Sequence, residues 1–198
     1  MIVTKFEISK EELGLLPLEV FEGPVVVVDN QEAFDEMMME LSKETVIGFD
    51  TETKPVFSKG KHNKVALLQI ATSVKCYLVR LNKLGFPDAL MRMFMNTNLL
   101  KIGLSIKDDF LMLRGRNGDF EASGFVELQT FVKAYGIADN SLQKIYALLF
   151  LKRISKSQRL SNWEAEELTI NQKSYAALDA YACRKIYLEL KQNYTTIC

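Results

Sequence analysis

Cysteine is scarce in this chain of 198 residues, and the three present, Cys76, Cys183 and Cys198, stand far apart with no CxxC pair. An odd, scattered set indicates neither a zinc knuckle nor a disulfide framework, and a reducing, cytoplasmic setting is expected. No run of about 18 apolar residues occurs. The opening "MIVTKFEISKEELG" carries acids within its first dozen residues and no apolar core of signal-peptide length, so a soluble, non-exported protein with no membrane partner is expected. Internal repeats, low-complexity tracts and Pro/Gly/Ser-rich linkers are also missing, which argues against a second domain. Neither charge is in excess: 25 Lys and Arg balance 25 Asp and Glu, so net charge alone does not announce a polyanionic partner.

What is present is ordinary globular material, 48% hydrophobic and 25% charged, long enough to bury a core. Residues 1–24 show the least periodicity and read as an N-terminal extension packed on the core, with residues 25–198 as the domain. "VVVV" at 25–28 reads as a short buried strand. "QEAFDEMMMELS" follows with Phe34, Met37, Met38 and Leu41 at helical spacing. Then come three β-like runs, "VIGFDTE", "VALLQIAT" and "KCYLVRL". A helix around 87–96 leads to a fourth strand, "LLKIGLS", and to "IKDDFLMLRG", whose Ile106, Phe110 and Leu113 form one helical stripe. "VELQTFVKAYG" and "SLQKIYALLF" read as helices, the first stopped by Gly136, and a fifth short strand is placed near 124–127. Thr169 and Gln172 have capping-box spacing and open a long final helix. A meander followed by alternating helices and strands predicts an α/β mixed sheet with helices on both faces.

Three places carry chemistry. Asp50 and Glu52, two apart at the end of an apolar strand, share one face. Taken alone they could equally be solvated loop acids. Asp108 and Asp109 open a helix straight after the fourth strand, a position that the helix dipole favours whatever the function, and also the strand end where α/β folds gather their sites. Tyr175 and Asp179, four apart in the final helix, share a face made spacious by Ala176, Ala177, Ala180 and Ala182. Acids converging from three elements would suit hard divalent cations, which take oxygen ligands.

These motifs, in this order, resemble the tyrosine branch of the DEDD (DnaQ-like) superfamily of 3′-5′ exonucleases, most narrowly domains of the Werner syndrome type, with ribonuclease D more distant. The resemblance runs from Val25 to Tyr194 through "VIGFDTE", "GKHNKVALLQI", "KCYL", "KIGLSIKDD", "RLSNW" and "LTINQKSYAALDAYACRKIY". It implies a ribonuclease H-like fold, a five-stranded mixed sheet with its second strand antiparallel. It implies that Asp50, Glu52, Asp109 and Asp179 hold two divalent cations, Mg2+ or Mn2+, with Asp50 bridging and Asp109 acting partly through water. Asp109 rather than Asp108 falls six residues after Gly103, in the register of the second motif. Tyr175 would orient an attacking water. The histidine branch requires a histidine near the last acid, and the sole histidine, His62, lies in "KGKHNK". The implied activity is two-metal hydrolysis of 3′-terminal phosphodiesters, with DNA favoured over RNA. Ribonuclease D-like RNA trimming and a non-catalytic nucleic-acid-binding module are the alternatives. Two tryptophans of Werner-type domains are replaced by Thr53 and Leu111; Phe57 or Phe110 could substitute.

If four of the 25 acids hold metal, 21 remain against 25 bases, so neutrality hides a basic bias. Lys54, Lys59, Lys61 and Lys64 flank the loop after the first acids, and Lys152, Arg153, Lys156 and Arg159 precede "SNW". Such clusters contact phosphates without reading sequence, although each residue singly could be a solvated charge. Thr51, Lys61, Lys64, Gln69 and Arg159 are the candidates for nucleic-acid contact. Gln69, polar inside "VALLQIAT", is either a core amide or a substrate contact, and Trp163 reads as a packing anchor.

Overall fold

The computed structural model describes residues 6–58, 60 and 62–196. Its centre is a sheet of six strands: β1 (Val25–Val28), β2 (Val46–Thr53), β3 (Val65–Ala71), β4 (Cys76–Arg80), β5 (Leu100–Gly103) and β6 (Phe125–Glu127), in the order β1-β4-β3-β2-β5-β6. β3 runs antiparallel to both β2 and β4, and every other pairing is parallel. The expected five strands with the second reversed are therefore all there. "VVVV" adds a sixth at the edge, where Val25 to Val28 pair with Cys76 to Val79. A parallel edge pairing needs a distant partner and leaves no local mark in the sequence.

Helices cover both faces. α1 (Lys10–Leu15) precedes the sheet, and α2 (Gln31–Leu41), α3 (Leu81–Leu84), α4 (Asp88–Met95) and α5 (Ile106–Arg114) send Phe34, Met37, Leu81, Leu90, Phe94, Ile106 and Leu113 into one core layer. Asn30 caps α2 by accepting from the Ala33 N–H at 3.0 Å. On the opposite face lie α6 (Leu128–Phe131), a 3-10 turn over Val132–Tyr135, α7 (Leu142–Phe150) and α8 (Ile170–Asn193). The helix expected across "VELQTFVKAYG" is thus split: its first residues extend the sheet as β6, and the rest winds and then tightens until Gly136, at φ 82°, ends it. The capping box at Thr169 is made in both directions, Gln172 N–H to Thr169 Oγ1 at 3.2 Å and Thr169 N–H to Gln172 Oε1 at 3.0 Å. Before the sheet, Ser9 and Glu12 cap α1 in the same reciprocal way, and Ile8 and Leu13 pack on Ala147 of α7.

α8 lies unusually close to the sheet at one point. A Cβ built on Gly48 of β2 would stand 1.8 Å from the Ala180 carbonyl oxygen. Only glycine allows that approach, and the alanine face of α8 completes it: Ala176, Ala177 and Ala180 pack on Leu67, Ala71 and Leu78. Gly48→Ala is expected to destabilise the protein by at least about 3 kcal/mol, read as a lowered urea midpoint with an unchanged slope.

Candidate active site

Four carboxylates and a phenol are carried to one end of the sheet by three elements. Asp50 and Glu52 follow Gly48 along β2 at two-residue intervals, so they face α8. From α8 come Asp179, only 7% exposed, and Tyr175 one turn earlier, whose hydroxyl is hydrogen-bonded to the Asp179 carboxylate. α5 supplies Asp109 in its first turn, from beyond the parallel neighbour β5. Thr51 points to the α5 side and ties the two groups together. Its hydroxyl donates to Asp109 Oδ1, and its N–H donates to Asp50 Oδ1 at 2.9 Å. Asp108 is exposed to solvent and makes no side-chain cap.

Each acid is held above the ordinary carboxylate range. Burial pushes Glu52 up to about 9, reinforced by the charges of Asp50, Asp179 and Asp109 and opposed by Arg159. Burial raises Asp50, and repulsion from Asp179 adds to it. Asp109 is raised by burial and then by Asp50, against the Thr51 hydrogen bond. Asp179 is raised by burial, against the Tyr175 hydrogen bond and the charge of Lys156. Burial, followed by the charges of Asp179 and Glu52, drives the Tyr175 phenol far above its usual range, so it keeps its proton. The acids behave as one electrostatic unit that lacks a buried counter-charge, a pattern typical of functional sites. Among the described residues, no group of three or more His, Cys, Asp or Glu side chains is arranged to hold a metal ion as it stands. Two of the four carboxylates are instead committed to hydroxyl donors, Asp109 to Thr51 and Asp179 to Tyr175.

Beside the acids opens a cavity of about 340 Å³. Asp50, Tyr175 and Asp179 form one wall, the amides Gln129 and Gln143 face them, and Lys156 and Arg159 also line it. Ser105, Gln129 and Gln143 were not anticipated. One sequence signal could have led there: Glu127 ends β6 as an acid at a strand terminus, and its carboxylate accepts from the N–H groups of Ser105 at 3.0 Å, Ile106 at 2.8 Å and Gln129 at 3.0 Å. Those bonds fix Ser105, which sits at φ 62°, at the cavity edge.

The basic clusters divide. Lys156 and Arg159 are exposed at the cavity, whereas Lys152 pairs with Glu19 at 2.9 Å and Arg153 Nε donates to the Leu16 carbonyl at 3.0 Å. Lys54 reaches Glu164 at 3.6 Å. Lys64 and His62 are exposed, and Lys59 and Lys61 lie outside the described residues. Gln69 is fully buried, with neither amide atom hydrogen-bonded; Trp163 is also fully buried, and its Nε1 has no partner. Phe110 packs at 4.7 Å from the Phe125 ring and 5.6 Å from the Phe120 ring, so it is not free to replace a missing tryptophan. Phe57, 87% exposed, and Leu111, 67% exposed, remain open to solvent.

The chain matches the family described as 3'-5' exonuclease over residues 25–194. It is 34% identical over 192 residues to the mouse bifunctional 3'-5' exonuclease/ATP-dependent helicase WRN, covering 87% of this chain and 13% of that protein. The solved EXO domain of Aedes aegypti Nibbler superposes with a TM-score of 0.78 at 26% identity, covering 89% of this chain and 91% of that one. Escherichia coli RNase D shares the fold, with a TM-score of 0.72 at 18% identity over 83% of this chain and 44% of that one.

Raised acids bind protons in the folded chain that the unfolded chain has already lost, so stability with divalent cations chelated falls as pH rises. For Glu52 the window runs from its ordinary 4.5 up to about 9. Thermal melts in chelator are expected to drop across that range. Glu52→Gln should melt several degrees higher than the parent at pH 8 and at nearly the same temperature at pH 4.

Proposed function

The chain belongs to the 3′-5′ exonuclease family, and on that premise we propose that it is a divalent-metal-dependent enzyme removing nucleoside 5′-monophosphates from the 3′ ends of nucleic acid, DNA in preference to RNA. The observation that carries this reading is the convergence of Asp50, Glu52, Asp109 and Asp179 on one mutually repelling cluster, Asp179 buried and the other three half-buried, beside a protonated Tyr175.

The donor set fits the cations. It is made of oxygen only, it carries excess negative charge, and the nearest thiol, Cys183, is buried and held firmly protonated. Asp50, Glu52, Asp109 and Asp179 would hold two ions of Mg2+ or Mn2+. When bound, such a pair lowers the pKa of water and offsets charge on the leaving oxygen. The acids stay ionised only with positive charge among them, which couples the hydrolytic state of the site to its occupancy.

The chain's own groups do the rest. Water attacks the phosphorus of the 3′-terminal phosphodiester in line: a new P–O bond forms as the bond to the 3′ oxygen of the penultimate residue breaks. The terminal nucleotide departs as a 5′-monophosphate, and the proton lost by the water is balanced by the one taken up at the new 3′ hydroxyl. Tyr175, neutral and fixed by Asp179, orients the water by hydrogen bonding without acting as a base. Arg159 and Lys156, exposed at the cavity, take phosphate oxygens. Lys61 and Lys64 are further candidates for phosphate contact. Thr51 acts by holding Asp109 and Asp50, since its hydroxyl and N–H are both engaged by those carboxylates. The cavity, about 340 Å³, is of a size for one nucleotide.

The test is incubation of purified protein with Mg2+ or Mn2+ and matched 3′-ended DNA and RNA oligomers. Stepwise shortening from the 3′ end, faster on DNA and absent in Asp50→Ala, is expected. Metal-dependent binding without any product would overturn the proposal, and faster loss of RNA would reassign the substrate. Tyr175→Phe should lower kcat about 100-fold with little change in KM. Thr51→Val should lower it about 10-fold, because an unsupported ligand is misplaced rather than removed.

A further inference from the structure

Gln69 has a fully buried amide whose Nε2 and Oε1 are both without a hydrogen-bond partner. A buried amide left in that state carries its desolvation penalty uncompensated, so its presence in a strand otherwise made of Val, Ala, Leu and Ile calls for a partner of some kind. The strand register shows which one is at hand. Gln69 on β3 stands directly opposite Asp50 on β2. Directly opposed residues of an antiparallel pair project to the same face, with Cβ atoms about 5 Å apart. That face is the one under α8, since Gly48 and Ala71, the next opposed pair, lie against Ala180 and its neighbours. On the same face Gln69 is flanked by Leu67 and Ala71 along its own strand and by Leu78 across on β4. Of these four lateral neighbours, only Asp50 is polar. Asp50 in turn accepts from one donor among the described residues, the Thr51 N–H, on Oδ1.

We propose that Gln69 is a positioning residue for the divalent-cation site: when Asp50 ligates a cation, the Gln69 side-chain N–H donates to the Asp50 carboxylate from beneath and sets its orientation. The inference rests on the exonuclease reading above, because it needs a site that binds divalent cations. A donor behind a ligating carboxylate fixes its rotamer and commonly accounts for 10- to 100-fold in metal affinity. The amide therefore has opposite effects in the two states. Without the cation it is an unpaired polar group in an apolar layer, and with the cation it is a charge-assisted donor. Trp163 Nε1, likewise buried without a partner among the described residues, supplies the control: its ring packs 6.1 Å from that of Tyr175 and it stands on neither strand of the Gln69 and Asp50 pair.

The experiment is Mn2+ titration of the intact protein without nucleic acid, by calorimetry or electron paramagnetic resonance, paired with melting in chelator. Gln69→Leu, and Gln69→Met as a variant of closer volume, are expected to weaken Mn2+ binding at least about 10-fold while melting in chelator at the parent temperature or above it. Trp163→Phe is expected to leave Mn2+ affinity within about twofold, below the loss a supporting donor should cause. On the unaltered protein, the Gln69 side-chain NH2 resonances should shift on saturation with Mg2+. Unchanged Mn2+ affinity in either folded Gln69 variant, an equal loss in Trp163→Phe, or Gln69 resonances indifferent to Mg2+ would each overturn the inference and leave the exonuclease reading standing. A parent protein that binds no Mn2+ and degrades no oligomer would overturn both.

Discussion

The contact between Gly48 and the Ala180 carbonyl decides where everything else goes. A 24-residue helix could cross a sheet at many places, but only here does the strand lack the atom that would hold the helix off. Once α8 rests on β2 at that point, Tyr175 and Asp179 are brought over Asp50 and Glu52, the next residues of the same strand face. The sheet order adds the third element. β5 lies beside β2 and runs parallel to it, so both strands end on the same side, and the helix that follows β5 delivers Asp109 there. β3, reversed, begins where β2 ends, which is why Gln69 comes to lie opposite Asp50.

The chain treats its other buried and half-buried charges quite differently from these acids. Lys101 is fully buried, and its ammonium donates to the Asn96 carbonyl at 2.7 Å and sits over the Phe125 ring at 5.1 Å. Arg116 donates to the carbonyl oxygens of Val65 at 2.7 Å and Leu81 at 2.9 Å. Arg80 is bound by the Ala165 and Glu166 carbonyls. Each is a structural cation satisfied by backbone acceptors. Beside them, a cluster of carboxylates with raised proton affinity, opposed only by the exposed Arg159 and Lys156 among the described residues, is an exception within the same molecule, and such exceptions cluster where chemistry is done.

Much of this was legible in the sequence because it is local. Two-residue spacing puts Asp50 and Glu52 on one face, four-residue spacing aligns Tyr175 with Asp179, and the Thr169 and Gln172 pair marks the start of α8 by a mechanism that operates within four residues. What sequence could not resolve is non-local. The partner of "VVVV" is fixed by a strand about fifty residues away along the chain. Lys152, Arg153, Lys156 and Arg159 look alike as a run of charge, yet the first two are taken by the N-terminal segment and the last two are left at the cavity, a division set by where residues 16–19 dock. For Gln69 the burial, the position opposite Asp50 and the lack of a hydrogen-bond partner are all set by residues distant along the chain, so none of them is legible in "VALLQIAT".

Glu127 has one more bearing on how this molecule meets a polyanion. Helix N-termini are the ready-made seats for phosphate in many folds, offering fixed backbone donors at no cost in side-chain ordering. At the start of α5, next to the acids, that seat is already filled by the Glu127 carboxylate, which takes the Ser105 and Ile106 N–H groups. On the exonuclease reading proposed above, a nucleic-acid backbone arriving at this face would find those two N–H groups already taken. Its hold there would come from the exposed Lys156 and Arg159 side chains, an attachment that dissolved salt would screen and that would let a shortened strand slip forward instead of staying locked in place.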